Sequence, residues 1–152
     1  CNIAIPDRNE MIYLDRIETE WPLRIQMPVG SRVPLHCTAS GKFYLSTLKP
    51  NHLDRFLDSL DFEAYTSYSI TSKAALLIEL EQVREQGYAL DRQEFIDGMV
   101  ALAVGIEDSQ KRFASTVSFH APTQRMKLDE VLDYLPALRN TADQLSNLLV
   151  DD

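Results

Sequence analysis

The chain has little cysteine, no cluster of basic residues and no long apolar run, and each shortage removes a class of protein. Cys1 and Cys37 are its only cysteines. They build no disulfide framework and neither belongs to a Cys-x-x-Cys pair, so a reducing, cytoplasmic setting is expected. No apolar stretch approaches the roughly 20 residues needed to cross a bilayer, and no secretory signal pattern is present, so no membrane partner is expected. The 15 Lys and Arg are scattered among 23 Asp and Glu, for a formal net charge of -8. Such a surface repels a polyphosphate unless basic residues are locally concentrated. DNA binding by this chain alone is therefore not expected. A GxSxG elbow, a phosphate-cradling glycine loop and an HExxH pair are also missing, so no catalytic residue, metal ligand or cofactor is assigned.

What is present suits one globular domain over residues 1–152: 45% hydrophobic and 25% charged residues, on a chain long enough to bury a core. The chain starts at Cys1 rather than Met. A piece of a longer protein is expected rather than an acylated lipoprotein, because strand-like residues follow at once with no flexible polar tether. Asn2–Pro6 and Met11–Glu20 read as a hairpin around Asp7–Asn9. Leu23, Ile25 and Met27 alternate with Arg24 and Gln26 as a half-buried strand closed by Pro28 and Gly30. Helices are expected over Thr38–Leu48, over Asn51–Leu60 with Leu53, Phe56, Leu57 and Leu60 on one face, and over Ser72–Gln86. In the last, Leu76, Leu80 and Val83 form the stripe, Ser72 caps and Gly87 terminates. Asp61–Tyr68 fits no element. A terminal helix spans Leu128–Leu149 with apolar residues in register to Leu148, kinked or restarted at Pro136. Hairpins without regular βαβ alternation favour an α+β fold with a mainly antiparallel sheet.

Val100–Ile106 and Phe113–Phe119 read as a strand pair. Val100, Leu102, Val104 and Ile106 face one way; Ala101, Ala103 and Gly105 face the other. On the second strand Phe113, Ser115, Val117 and Phe119 alternate with Ala114, Thr116, Ser118 and His120. A turn over Glu107–Arg112 without a bulge pairs Ile106 with Phe113, which sets Ala101 opposite Ser118 and Ala103 opposite Thr116. One face is then bulky, the other small and studded with hydroxyls and an imidazole. Small residues on a sheet admit a close helix or leave a hollow. Composition alone favours the helix, but the polar groups need partners that a ligand can supply, which favours the hollow. The block Leu35-His36-Cys37-Thr38-Ala39-Ser40-Gly41-Lys42 adds a helix start whose first amides can hold a carboxylate.

These segments, with Val29-Gly30-Ser31-Arg32-Val33-Pro34 ahead of the block, Leu80–Tyr88, Asp91, Glu94, Gly98 and the Phe119–Pro122 end, resemble the effector-binding domain of IclR-family bacterial transcriptional regulators over nearly the whole chain. The resemblance implies a GAF-like or profilin-like domain, a curved antiparallel sheet flanked by helices. It implies a sensor of small molecules, with effector contacts falling on Ala39, Ser40, Asp91, Ala101, Ser118 and His120. It also implies a homodimer or tetramer, and a winged helix-turn-helix, absent here, through which operator DNA is bound. Ala101 stands where some relatives carry Cys, and His120 where Ser is frequent. The second change adds a group that titrates near neutral pH. Both move the expected effector, a small carboxylate, away from the small 2-oxo acids.

Two other classes are weighed against this reading. One is a small enzyme using Cys37 beside His36, but sequence neighbours on an extended segment face opposite sides. The other is a free-standing ligand-binding or interaction module. A metal held by His36, Cys37, Asp91 or His120 has no supporting spacing.

Overall fold

A computed structural model describes residues 1–18, 20 and 27–149. Six strands form one antiparallel, curled sheet: β1 (Asn2–Asp7), β2 (Glu10–Arg16), β3 (Arg32–Pro34), β4 (Ala89–Arg92), β5 (Met99–Glu107) and β6 (Phe113–Pro122), in the order β3-β2-β1-β6-β5-β4. On one side lie α1 (Ala39–Ser46), α2 (Pro50–Asp58) and α3 (Lys73–Gln86). Their apolar stripes meet Ala4, Met11, Tyr13 and Val33 of the sheet in one core. On the other side α4 (Leu128–Leu132) and α5 (Leu135–Ser146) cover Val100, Leu102, Val104 and Ile106. The fold is α+β.

Local chemistry sets the element ends. Ser72 accepts from the Ala75 amide at 3.2 Å to start α3, and Gly87 ends it at φ +77°. Leu53 and Leu57 of α2 and Leu76, Leu80 and Val83 of α3 are buried, as the helical spacing predicts. The terminal helix breaks into two, with Pro136 in the first turn of α5, where its missing N–H costs nothing. Leu148 lies past the end of α5 and is exposed rather than in register with its stripe. The segment Asp61–Tyr68 forms neither helix nor strand. It serves as a brace: Thr66 and Ser69 hydroxyls donate to the Gln93 and Glu94 carbonyls at 2.6 and 2.5 Å. The strand expected over Leu23–Pro28 lies largely outside the described residues. β3 and β4, of three and four residues, had no separate sequence signal.

The β5–β6 register corrects the bulge-free pairing. Ala101 sits opposite His120 and Ala103 opposite Ser118, two residues along from expectation. Asp108 closes a tight turn by accepting from the Gln110 and Arg112 amides, and the ladder shifts between Ile106 and Glu107, where Phe113 rather than Ala114 pairs with Glu107. A shift of two preserves facing, so the two sides of the sheet are as read. Phe113 is the exception. The bulge turns it to the α1 side, where it lies against Phe43 and Tyr44 with ring centroids 6.4 and 5.4 Å away.

The loop into α1 packs unusually close. A Cβ on Gly41 would lie 2.5 Å from both Cα and O of Leu35, and one on Gly105 would lie 2.3 Å from the Phe43 ring. The first obstacle is backbone and the second a side chain able to rotate. Gly41→Ala is therefore expected to cost more stability than Gly105→Ala, about 3 kcal/mol against about 1, despite alanine's better helix propensity. Urea unfolding of the two variants measures this; equal losses would mean that the Leu35 loop yields.

Candidate functional site

The ladder places the sequence-expected residues in rows. Asp91 pairs with Ala101 and Ala101 with His120, so one row crosses β4, β5 and β6. In the next row Ala89 pairs with Ala103, Ala103 with Ser118, and Ser118 with Asn2 of β1. Residues two apart on a strand share a face, so both rows look toward α1. Ala39, the first residue of α1, packs directly on Ala101 and Ala103. Ser40 follows, 3% exposed. Asp91, Ala101, Ser118 and His120 thus share one face of the sheet, and the start of α1 rests on it through Ala39. The close-helix alternative is seen along β5, where Phe43 fills the space above Gly105 and Ala39 packs on Ala101 and Ala103; the polar groups Ser118 and His120 lie on the same face farther toward β1.

Thr38 is the N-cap of α1. Its hydroxyl accepts from the Gly41 amide at 3.1 Å and donates to the Pro34 carbonyl at 2.6 Å. That occupies the third amide of the helix and leaves those of Ala39 and Ser40 as the ones a helix cannot satisfy from within. Cys37 is fully buried, and burial followed by the nearby Asp91 charge raises its thiol far above the ordinary value. A thiolate nucleophile is thereby disfavoured. His36 turns away, its Nε2 2.8 Å from the Glu63 carbonyl and its ring against Phe62 and Tyr65. The neighbouring Cys and His do not meet. Among the described residues no three His, Cys, Asp or Glu side chains are grouped to hold a metal ion.

Lys42 has no exposed surface and donates to Glu94 Oε2 at 2.8 Å and Glu79 Oε1 at 3.0 Å. Arg92 reaches the same Glu79 oxygen at 2.9 Å. Burial would raise the Glu79 carboxyl, but Lys42 and Arg92 outweigh it and hold it below the usual value. Glu94 also accepts from the Arg92 amide at 2.9 Å, and its own amide donates to Asp91 Oδ1 at 2.7 Å. Asp91 is 3% exposed. Burial first, then the Glu94 charge, push its carboxyl up to about 7, against the pull of backbone amides and Lys42.

His120 corrects the expectation of a group titrating near neutrality. Burial, then Arg16 and the chain's amino terminus, lower it to about 4, so the ring is neutral at physiological pH. Asn2 Nδ2 lies 2.9 Å from His120 Nδ1. With the amide as donor, the ring proton sits on Nε2. Asn2, 2% exposed, is the residue that sequence reasoning missed. Its Oδ1 and the Ser118 Oγ are buried side-chain atoms with no hydrogen-bond partner. The only signal for Asn2 was its place opposite Ser118, which no strand-by-strand reading of the sequence pairs.

The two shifted groups oppose one another in stability. Asp91, at about 7 folded against 3.8 as the ordinary value, keeps a proton in the native state that the unfolded chain has lost, so its share of stability falls as pH rises from about 4 to 7. His120, at about 4 against 6.5, does the reverse: the unfolded chain holds the extra proton, and stability rises from about 4 to 6.5. Over that shared range the slopes cancel, each being about 1.4 kcal/mol per pH unit. Asp91→Asn is expected to expose the rising slope and His120→Gln the falling one, by chemical denaturation at pH 4.5, 5.5 and 6.5. Flat profiles in both variants would show that neither group is shifted.

Comparison with known proteins finds relatives along nearly the whole chain. Residues 1–147 match the family described as "Bacterial transcriptional regulator IclR C-terminal". The probable transcriptional regulator SauR of Cupriavidus necator is 38% identical over 145 residues, covering 95% of this chain and 58% of that protein. The Thermotoga maritima IclR crystal structure superposes with a TM-score of 0.90 at 28% identity, over 97% of this chain and 60% of that one. The inducer-binding domain of the Acinetobacter transcription factor PobR, a double mutant in complex with 3-hydroxybenzoic acid, gives 0.88 at 29% identity, over 97% and 87%. The chain spans a little over half the length of the curated relatives it matches.

Proposed function

The chain belongs to the IclR C-terminal family of bacterial transcriptional regulators, and from that premise we propose that it senses a small carboxylate-bearing metabolite for a longer regulator. The relatives are named as regulators and a repressor rather than as enzymes. The observation that carries the ligand reading is the pair of buried unpartnered atoms, Asn2 Oδ1 and Ser118 Oγ, on the sheet face that α1 packs against. Buried polar atoms are ordinarily partnered; a ligand supplies what the protein leaves out. The PobR inducer domain, bound to a hydroxybenzoic acid, makes an acid a reasonable class.

In this reading the carboxylate sits on the Ala39 and Ser40 amides. Ala101 and Ala103 stay small so that the start of α1 comes down beside the ligand, and Ser118 and the His120 Nε2–H bond its other oxygens. Asp91 holds a proton and donates, because two anions side by side are unfavourable. Operator binding belongs to a winged helix-turn-helix outside this chain, and self-association and a cytoplasmic location follow from the same premise. Among the described residues no helix is long and apolar enough to cross a membrane.

Calorimetry with carboxylate effectors tests this. With Asp91 near 7 in the free protein, affinity is expected to be level below that pH and to fall above it by up to about tenfold per unit. Asp91→Asn should flatten the fall. His120→Ala should weaken binding by roughly 1–3 kcal/mol without changing the profile between pH 6 and 8. A profile that flattens in His120→Ala instead would return the titrating role to the imidazole. The chain alone should give no sequence-selective shift of DNA, and sedimentation at tens of micromolar should find a dimer or larger; a selective shift, or monomer alone, counts against the corresponding assignment.

A further inference from the structure

Asn2 lies outside the set of contacts that the family resemblance implies, yet it occupies the same sheet face and the same ladder row as Ser118. It is 2% exposed, its Nδ2 is engaged with His120 Nδ1 at 2.9 Å, and its Oδ1 is buried without a partner. A carboxamide oxygen only accepts hydrogen bonds, whereas the neighbouring Ser118 hydroxyl adapts to either role. The ring bonded to Asn2 presents Nε2–H, a donor. Asn2 Oδ1 is therefore a fixed, buried acceptor at the end of this face nearest β1, which a hydroxyl or an amide N–H matches and a ketone or a second carboxylate leaves unmatched. Asn2 is two strands from Ala103, roughly 10 Å at about 4.8 Å per strand, so this acceptor lies away from the helix start where a carboxylate would rest.

We propose that the effector carries a hydrogen-bond donor, a hydroxyl or an amide N–H, at the end remote from its carboxylate, and that Asn2 Oδ1 receives it. Asn2 is then a specificity-determining residue. The inference rests on the carboxylate reading above and narrows it to hydroxy or amido acids.

The test uses matched probes: 4-hydroxypentanoate against levulinate, 3-hydroxybutyrate against acetoacetate, lactate against pyruvate as a short pair, and the neutral amides of the three hydroxy acids. Binding is measured by calorimetry on the wild-type chain, Asn2→Leu and Asn2→Asp. A buried acceptor left unmatched is costly, so the longer hydroxy acids should bind at least roughly tenfold more tightly than their oxo partners. Asn2→Leu should erase that ratio. Asn2→Asp keeps an acceptor and should keep the ratio while weakening every acid. Oxo acids binding as well as hydroxy acids, or a ratio unchanged in Asn2→Leu, overturns the role of Asn2 and leaves the carboxylate reading intact. Hydroxy amides binding as tightly as the acids, with loss in Asn2→Leu, supports the Asn2 acceptor and overturns the carboxylate reading. If no probe binds, both fall.

Discussion

A single buried ammonium ties α1, α3 and the loop after β4 together. Lys42 is without exposed surface, and it is neutralised by Glu94 from the loop after β4 and by Glu79 from the middle of α3. Breaking such a pair strands a charge in the interior, which costs far more than the pair contributes over an apolar replacement. The ion pairs therefore fix where α1 sits relative to α3 and β4 rather than adding much net stability. With Glu94 pinned, its amide is delivered to Asp91, whose carboxyl burial first and the Glu94 charge second raise to about 7.

The docking of α1 follows from the same constraint. A helix held from one side by charge is brought down on the sheet only where the sheet is small. Alanine at 39, 101 and 103 and glycine at 105 meet that condition. Farther along the same face the buried Asn2 Oδ1 and Ser118 Oγ are left without hydrogen-bond partners.

Much of this was legible in the residues. Alternation along β5 and β6 separated the bulky from the small face, because parity survives an even shift of register. The stripe Leu76, Leu80, Val83 with Ser72 and Gly87 at its ends located α3. The resemblance named six candidate residues; the ladder puts Asp91, Ala101, Ser118 and His120 on one face, and Ala39 of α1 packs on that face. The exact pairing was not legible: the Asp108 turn is one that many polar loops would make, and only its hydrogen bonds fix a bulge that also turns Phe113 over. His120 was misread because a pKa depends on what surrounds the ring, namely Arg16 and the packing near Tyr13, rather than on residue type. Asn2 was overlooked because its partner in the sheet is more than a hundred residues away.

That separation has a consequence for how the domain comes into being. β1 and β6 meet at the middle of the sheet, joined by the pairing of Asn2 with Ser118 and a Thr116 hydroxyl 3.5 Å from the Ala4 carbonyl. Closing so long a loop is slow, and on a ribosome it waits until β6 has emerged. The central seam is the last part of the sheet to assemble. The candidate site straddles that seam, so a molecule held there would bridge the first and last of these strands and fasten the final step of folding.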